Sequence, residues 1–193
     1  IANKRMLEAI RSNDNVIGYC VHALTAGDWI IGAGLLDLWR NPKGLAYDLT
    51  KEGNLPKIAV LRTNKRNYFE GEAVHISSSI INESKDQKNE VRLFVNKLLK
   101  NKKELIYNNQ NIYDVKNGIN EIEKINLGND LEAGEYEIKI SLIKNNREEY
   151  STSIKFNIFF IDRRQKNLDV AVVKNDKKLI NFFKKYNINY ELF

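Results

Sequence analysis

The pattern of apolar and polar positions changes twice along the chain and divides it into three segments. Residues 1–55 show helical spacing on either side of a continuous apolar run. Residues 56–162 alternate between apolar and polar side chains over short stretches, as strands with one buried face do. Residues 163–193 return to an apolar run followed by helical spacing. The pattern therefore predicts three structural units of different class.

The first segment predicts a helix, a buried strand and a second helix. The helix over residues 3–12 has an apolar face formed by Met6, Leu7 and Ile10. The run VIGYCVHAL at residues 16–24 is typical of a strand that is buried on both faces, as in a parallel sheet. Asn41 is a suitable N-cap for a second helix that begins at Pro42 and stops near Gly53. A segment of this size leaves both faces of its strand without partners, so it cannot be a domain by itself.

The central segment predicts short strands separated by turn sequences. These strands cover residues 57–62, 73–81, 91–99, 103–107, 119–127, 136–143 and 150–160. Seven short strands in about 100 residues are typical of an immunoglobulin-like β-sandwich. Tyr136 follows the sequence LEAGE near the start of the sixth strand, so we expect a tyrosine corner there. The fold class predicted for the whole chain is accordingly mainly β.

The last segment predicts a strand over residues 168–173, a helix and a strand over residues 188–193. Asn175 or Asp176 can cap the helix, which runs to about Tyr186. A strand–helix–strand unit of this kind is usually parallel and right-handed. We therefore expect the start of an α/β domain of the flavodoxin-like kind after the sandwich.

A net charge of +6 could indicate a nucleic-acid-binding protein, provided that the basic residues are clustered on one part of the chain. Residues 163–193 carry eight basic and three acidic side chains, whereas residues 56–162 carry seventeen and sixteen. The central segment is therefore balanced, and no nucleic-acid-binding motif is visible. We expect no nucleic-acid partner.

Membrane and metal chemistry are also not expected. The longest apolar run, Trp29–Leu36, is far shorter than the ~20 residues of a membrane helix. Cys20 is the only cysteine, and the chain has two histidines, so neither an intrachain disulfide nor a zinc site built from Cys or His is expected. No cofactor is implied by any motif.

Four stretches of the first segment together resemble the end of a known catalytic barrel. They are GYCVH at residues 18–22, Thr25, GDW at residues 27–29 and GLLDLWRNPK at residues 34–43. They are similar to the last strand and final loop of the (β/α)8 barrel in glycoside hydrolase family 2, which includes β-galactosidases, β-glucuronidases and β-mannosidases. A β-sandwich after the barrel also resembles the domain order of that family. The resemblance implies that residues 1–55 are the last strand and helices of a barrel.

The resemblance also implies that the catalytic groups lie outside this chain. In family 2, the acid/base glutamate follows an asparagine on the fourth barrel strand, and the nucleophile glutamate lies on the seventh. Both would precede Ile1. Retaining glycosidases need two carboxyl groups about 5–5.5 Å apart, and no residue of this chain matches either motif. We therefore expect an inactive C-terminal fragment of a retaining β-glycosidase, with no catalytic residue of its own.

Three residues are candidates for substrate contacts in the parent enzyme. His22 lies at the carboxyl end of the predicted barrel strand, where active-site groups of barrels project, and it stands where the family pattern has Trp. Asp28 and Trp29 follow in the loop, where a carboxylate could accept bonds from sugar hydroxyls and an indole could cover a sugar face. The alternatives are a packed histidine, a capping aspartate and a tryptophan covering the barrel rim.

Three other groups of side chains are weaker candidates for a functional site. Asp37 is expected in a turn. Ser77–Ser79 beside His75 is not expected to form a nucleophile and base, because alternate strand residues face opposite sides. Tyr68 and Phe69, and Tyr107 to Tyr113, could form an aromatic platform for a sugar or could simply pack.

A different class of function remains open from the residues. The chain could be a stand-alone β-sandwich module that binds carbohydrate or protein, with the αβ elements packed on it. Sequence upstream of Ile1 separates the two hypotheses. If the chain is a fragment, the apolar runs at 16–24 and 168–173 lack their partners, and exposed strand edges recruit other chains. We then expect self-association.

Overall fold

The structure is a computed structural model that describes residues 2–26, 34–160, 171–172, 176–186 and 188–192. The protein is mainly β, as the sequence predicts. The elements, in chain order, are α1 (Ala2–Arg11), α2 (Gly44–Gly53), β1 (Lys57–Thr63), β2 (Asn67–Phe69), β3 (His75–Asn82), β4 (Gln87–Leu98), β5 (Lys103–Val115), β6 (Gly118–Asn126), β7 (Gly134–Lys144), β8 (Arg147–Phe159), β9 (Ala171–Val172), α3 (Lys177–Lys185) and β10 (Glu191–Leu192). No helix in these ranges has the length and apolar character needed to cross a membrane.

Eight strands form two sheets that enclose one hydrophobic core. The smaller sheet has the antiparallel order β1-β3-β6, and the larger has the order β2-β8-β7-β4-β5. Within the larger sheet β2 alone pairs in parallel, with the end of β8. Inward-facing side chains of both sheets belong to the same buried cluster. This is the two-layer arrangement of a β-sandwich.

The tyrosine corner is present at the start of β7. Tyr136 is 1% exposed, and its hydroxyl donates to the carbonyl oxygen of Glu132 at 2.8 Å. Its ring stacks on Phe156 with centroids 5.0 Å apart, and Tyr68 meets Phe156 edge-on at 5.6 Å. Aromatic pairs in these geometries stabilise a core beyond their area alone. The hydroxyl therefore fixes the loop before β7 while the ring fills the core.

Two strands differ from the pattern-based prediction. β2 was not expected, because its three residues are too few to show an alternation, yet Tyr68 within it is completely buried. β5 continues to Val115 rather than ending at Tyr107. Its second half contains the polar sequence NNQN, which has no alternating apolar residues, and β5 lies at the edge of its sheet. Pairing with β4, rather than side-chain pattern, defines this part of the strand.

The helix α1 confirms the first prediction, and α2 begins two residues later than expected. Pro42 and Asn41 precede α2, which begins at Gly44 after Lys43, and no side chain caps its first turn. The prediction of Asn41 as an N-cap is therefore wrong. The Asn41 amide instead contacts Asp37 at 3.0 Å, so it stabilises the preceding turn.

Residues 16–24 do not form the predicted buried strand. The described segment has no strand pairing there, and Ile17 and Leu24 are exposed at 104% and 60%. A strand requires neighbouring strands that pair with its backbone, and within the described residues this run has backbone partners only at its two ends, Val16 with Asn13 in the preceding turn and Ala23 and Leu24 with Leu35 and Leu36. The amides of Leu35 and Leu36 donate to the Leu24 carbonyl at 3.0 and 2.8 Å. Apolar composition alone was therefore insufficient to make a strand.

The C-terminal elements confirm the parallel unit. β9 pairs in parallel with β10, and the Asp176 side chain caps α3 by accepting from the Leu179 amide at 3.0 Å. Residues 168–170 and 173 of the first predicted strand, and residue 193 of the second, lie outside the described residues. Tyr186, which follows α3, lies 6.4 Å from Phe69 between ring centroids. Phe69 therefore packs against the C-terminal elements, and Tyr68 lies in the core, so these two rings do not form a joint sugar platform.

Candidate functional site

A cavity of about 400 Å³ lies beside His22, between the two N-terminal helices. Its walls come from one face of α1, from Ala46 and Thr50 of α2 and from residues 19–23. Leu7 is the buried centre of the helix pair. Because Gly53 has no side chain, α2 comes close to α1 there; an added Cβ would lie 3.0 Å from the Leu7 Cδ1 atom. The cavity is therefore mostly apolar, with His22 at its exposed rim.

Gly34 closes the loop that follows His22. Its φ is +93°, a conformation that side chains disfavour, and an added Cβ would lie 2.7 Å from the Ala26 backbone nitrogen. The Ala26 amide donates to the Leu36 carbonyl at 2.9 Å across this contact. Only glycine therefore allows residues 25–26 and residue 34 to approach so closely. This explains why glycine occupies the first position of the GLLDLWRNPK sequence.

Asp37 organises the turn that follows. Its carboxylate accepts from the backbone amides of Asn41 and Trp39 at 2.7 and 2.9 Å. The hydrogen bond from the Asn41 amide is the main reason why the pKa of Asp37 is lowered. The carboxylate is thus engaged with its own loop, as expected for a turn residue, and is not available as a general acid.

The candidate substrate-binding residues are not assembled into a site by the described residues. His22 is exposed at the cavity rim, and the cavity wall otherwise carries only Asn3, Tyr19, Cys20 and Thr50 besides glycine and apolar residues, with no acidic or basic group. The Tyr19 hydroxyl donates to the Asn54 side chain at 2.5 Å. Asp28 and Trp29 lie outside the described residues. The substrate-binding role of all three residues stays a prediction.

The serine group on β3 does not form a catalytic set. Ser78 points inward and donates to the Glu123 carbonyl at 3.2 Å, whereas Ser77 and Ser79 are on the opposite face. His75 is exposed at the start of the strand. No group of three or more His, Cys, Asp or Glu side chains within the described ranges could hold a metal ion.

Sequence reasoning missed a polar cluster that joins the edges of the two sheets. Glu123 of β6 accepts from the Tyr107 hydroxyl and from the Asn109 amide, the latter at 2.9 Å. Burial, followed by the hydrogen bond to Glu123, raises the pKa of Tyr107 to about 12. The tyrosine therefore stays protonated as a donor. The residues lie on different strands, so no local spacing could have revealed them.

A second missed cluster joins α1 to the sandwich. The Lys4 ammonium contacts the Glu52 carboxylate, donates to the Thr152 hydroxyl at 2.9 Å and lies 4.0 Å from Glu8. It also lies 5.5 Å from the centroid of the Tyr150 ring. Glu8 and Glu52 thus share one cation between them. Their carboxylates neutralise the charge of the Lys4 ammonium where it contacts β8, and they do not line the His22 cavity.

Comparison with known proteins gives structural similarity of limited extent. No family model matches the chain, and no curated protein sequence matches it. A β-glucosidase from Erythrobacter marinus is 12% identical with a TM-score of 0.39, over 53% of this chain and 15% of its own. The sporulation control protein of Bacillus subtilis is 15% identical with a TM-score of 0.38, over 55% of this chain and 49% of its own. A cycloisomaltooligosaccharide glucanotransferase from Paenibacillus sp. is 16% identical with a TM-score of 0.37, over 69% of this chain and 19% of its own.

Glycosidases are thus among the proteins to which parts of this chain are similar in backbone. The chain spans less than a fifth of the length of the β-glucosidase and of the glucanotransferase. The finer resemblance to glycoside hydrolase family 2 stays a prediction.

Proposed function

We propose that this chain is the C-terminal part of a retaining β-glycosidase similar to glycoside hydrolase family 2. In this proposal the N-terminal segment completes the catalytic barrel, and the β-sandwich holds that segment in place. The two catalytic carboxylates come from sequence that precedes Ile1. The chain by itself is expected to bind to the rest of the barrel and not to hydrolyse sugars.

The observation that carries the proposal is the apolar surface of the N-terminal segment. Its large apolar side chains with the greatest exposure are Met6, Ile17, Leu24, Leu38, Trp39 and Leu45. Trp39 is 79% exposed, although a tryptophan is usually well buried. Six large apolar side chains exposed within one short segment are what we expect of a surface that another part of a protein covers. The same segment lines the cavity beside His22. Missing barrel strands and helices are the occupants that we propose.

The contrast with the sandwich supports the same proposal. The sandwich has a complete core, with Ile58, Leu93 and Ile140 at 1% exposure or less. The N-terminal segment has one fully buried large apolar residue, Leu7, among the residues that the structure describes. A segment with so small a core depends on a neighbour for its stability. The sandwich supplies part of that support through α1, and the barrel would supply the rest.

The acidic residues of the chain support the absence of a catalytic pair. Among the described residues, Glu8 and Glu52 come close to the same Lys4 ammonium, which lies between them and faces β8. A retaining mechanism requires one carboxylate to attack the sugar and the other to protonate the leaving group. Because both carboxylates lie beside the Lys4 ammonium, they are not a free nucleophile and acid on either side of one site. His22, with Asp28 and Trp29, would contribute hydrogen bonds and an apolar face to sugar binding only.

The coding sequence upstream of Ile1 tests the proposal. We expect it to encode a strand ending in Asn-Glu and a later strand ending in Glu. The extended protein should hydrolyse at least one nitrophenyl β-glycoside, and replacing either upstream glutamate with Gln should abolish turnover. Glu123→Gln in the same protein is the matched control, because Glu123 lies on the sandwich, and should retain activity.

Two results would overturn the proposal. An initiator methionine or a signal peptide directly before Ile1 would favour the stand-alone module. Saturable hydrolysis of nitrophenyl β-galactoside, β-glucuronide, β-glucoside or β-mannoside by residues 1–193 alone would show that the catalytic groups lie within this chain.

A further inference from the structure

A depression lined by basic side chains crosses the surface of the sandwich beside α1. It consists of two neighbouring cavities, of about 240 and 540 Å³, which share Arg62 and Thr63 in their walls. The smaller cavity lies beneath α1 in the seam between β1 and β8. The larger lies against the end of the three-stranded sheet. We call the joined cavities the basic trough.

The walls of the basic trough carry more basic than acidic side chains. Its walls carry the basic residues Arg5, Arg62, Arg66, His75, Lys124 and Lys155. Glu8 is the single acidic residue in the described walls, and burial is the main reason why its pKa is raised. Lys124 and Lys155 form ion pairs with Glu121 and Glu135, just as Lys103 and Lys139 on the outer face of the larger sheet pair with Glu137 and Glu148. The uncompensated charge of the trough therefore comes from its arginines, which form no ion pair with any residue that the structure describes.

Several cationic groups of the trough are available to a ligand. Arg5 and Arg66 form no ion pair with any residue that the structure describes. One Nη atom of Arg62 donates to the Ser12 hydroxyl at 2.6 Å, which steadies this side chain next to α1. A guanidinium group presents parallel N–H donors that match a carboxylate. The trough is therefore suited to carboxylate groups.

Neutral hydrogen-bonding groups alternate with these cations. The strand register places Ser77 of β3 directly between Arg62 of β1 and Lys124 of β6. Asn64 and Asn126 also line the larger cavity. This arrangement suits a ligand that carries both carboxylates and hydroxyls. No Phe, Tyr or Trp side chain lines the trough among the described residues, so nucleic-acid bases would find only the His75 ring as a stacking surface.

We propose that the basic trough binds an acidic oligosaccharide, a chain of uronic acid residues. Arg62 and Arg66 would bind the uronate carboxylates, and Ser77 would bind a sugar hydroxyl. The choice of a saccharide rests on the proposed function, because the parent protein would act on carbohydrate. The trough and the His22 cavity use different faces of α1, since Arg5 and Glu8 line the first and Met6, Leu7 and Ile10 line the second.

Calorimetric titration of the full chain with tetragalacturonate tests the site. We expect saturable binding that weakens as salt screens the charges, and none to the fully methyl-esterified tetrasaccharide. The double variant Arg62→Gln, Arg66→Gln should bind at least tenfold more weakly. The double variant Lys103→Gln, Lys139→Gln removes the same charge from the outer face of the larger sheet and should bind within twofold of the unchanged chain.

Thermal melting of each variant accompanies the titration. If the trough variant melts early, Arg5→Gln replaces it, because Arg5 has no described ion pair to lose. Absence of tetragalacturonate binding, or equal losses in the trough and control variants, would overturn the proposal. Equally tight binding of polyglutamate or single-stranded DNA would also overturn it, since that would indicate a general polyanion surface.

The proposal for the trough and the proposed glycosidase function can each fail without the other. Uronate binding by the chain, with no barrel encoded upstream, would support the trough and refute the glycosidase assignment. Upstream catalytic glutamates without uronate binding would refute the trough alone.

Discussion

Replacing Arg11 with Met would test whether the N-terminal segment is an integral part of the fold. The Arg11 side chain is 2% exposed, and its guanidinium donates to the Gly53 carbonyl and, at 3.0 Å, to the Leu55 carbonyl. It also lies 2.8 Å from the Glu83 carboxylate. The end of α1, the end of α2 and the loop after β3 therefore meet at one group. Methionine keeps part of the apolar stem and removes all three contacts.

The two backbone carbonyl groups account for most of the expected decrease in the free energy of unfolding. The Glu83 side chain is 58% exposed, so water can solvate it when Arg11 is removed, and such a pair contributes about 0–1 kcal/mol. A buried acceptor that loses its partner costs about 1–3 kcal/mol. Gly53 is buried, whereas Leu55 is partly exposed and can bind water. Together these contributions predict a decrease of about 3 kcal/mol in the free energy of unfolding.

Urea denaturation of the Arg11→Met variant measures the decrease, and hydrogen exchange locates it. Amides of α1 and α2 should lose protection first, whereas those of β4 and β7 should keep it, because local opening follows local contact density. Arg92→Met is the matched control. Arg92 pairs with Glu90 at 2.6 Å on a partly exposed surface, so its loss should change stability by less than about 1 kcal/mol.

Equal effects of the Arg11 and Arg92 replacements would refute the reasoning. So would full protection of α1 in the Arg11→Met variant. Either result would mean that the helices are held to the sandwich by contacts other than this guanidinium.

Two further predictions concern single side chains within the fold. Tyr136→Phe should lower the free energy of unfolding by about 1 kcal/mol, because it removes the hydrogen bond to the Glu132 carbonyl; urea denaturation that shows no change would contradict this. Glu8→Gln should raise stability at pH 7. Burial raises the pKa of Glu8 in the folded state above the ordinary value of 4.5. As pH rises from 4.5, the unfolded chain loses this proton first, so the folded state is progressively destabilised until the pH has passed the raised pKa. The variant should flatten that part of the stability–pH curve, and a curve parallel to that of the unchanged chain would show that Glu8 does not contribute to it.

The local alternation of apolar and polar residues was sufficient to predict most strands of the sandwich. In β7, Tyr136, Ile138 and Ile140 alternate with Glu137 and Lys139, and this period of two predicts both the strand and the buried face. The Asp176 cap of α3 and the turn around Asp37 are equally local, whereas the expected Asn41 cap of α2 is not formed. Such features are predictable because the residues that interact are neighbours in sequence.

Residues 16–24 show where local pattern was insufficient. The run is apolar enough for a buried strand, but a strand also needs hydrogen-bonding partners on its edges, and the described part of the chain supplies few. β5 shows the converse, because pairing with β4 extends it through a polar stretch that has no apolar face. In both cases the partner strand, and not the segment itself, decides the structure.

The sequence by itself determined the mainly β class, the tyrosine corner and the turn around Asp37, because each follows from spacing within a few residues. Only the tertiary structure brought Arg5, Arg62 and Lys124 to one trough, since they come from α1, β1 and β6. The charge of residues 56–162 sums almost to zero and conceals this grouping. A sum over sequence cannot show which lysines and arginines face glutamates and which face one another, because the pairing of strands distant in the chain decides that.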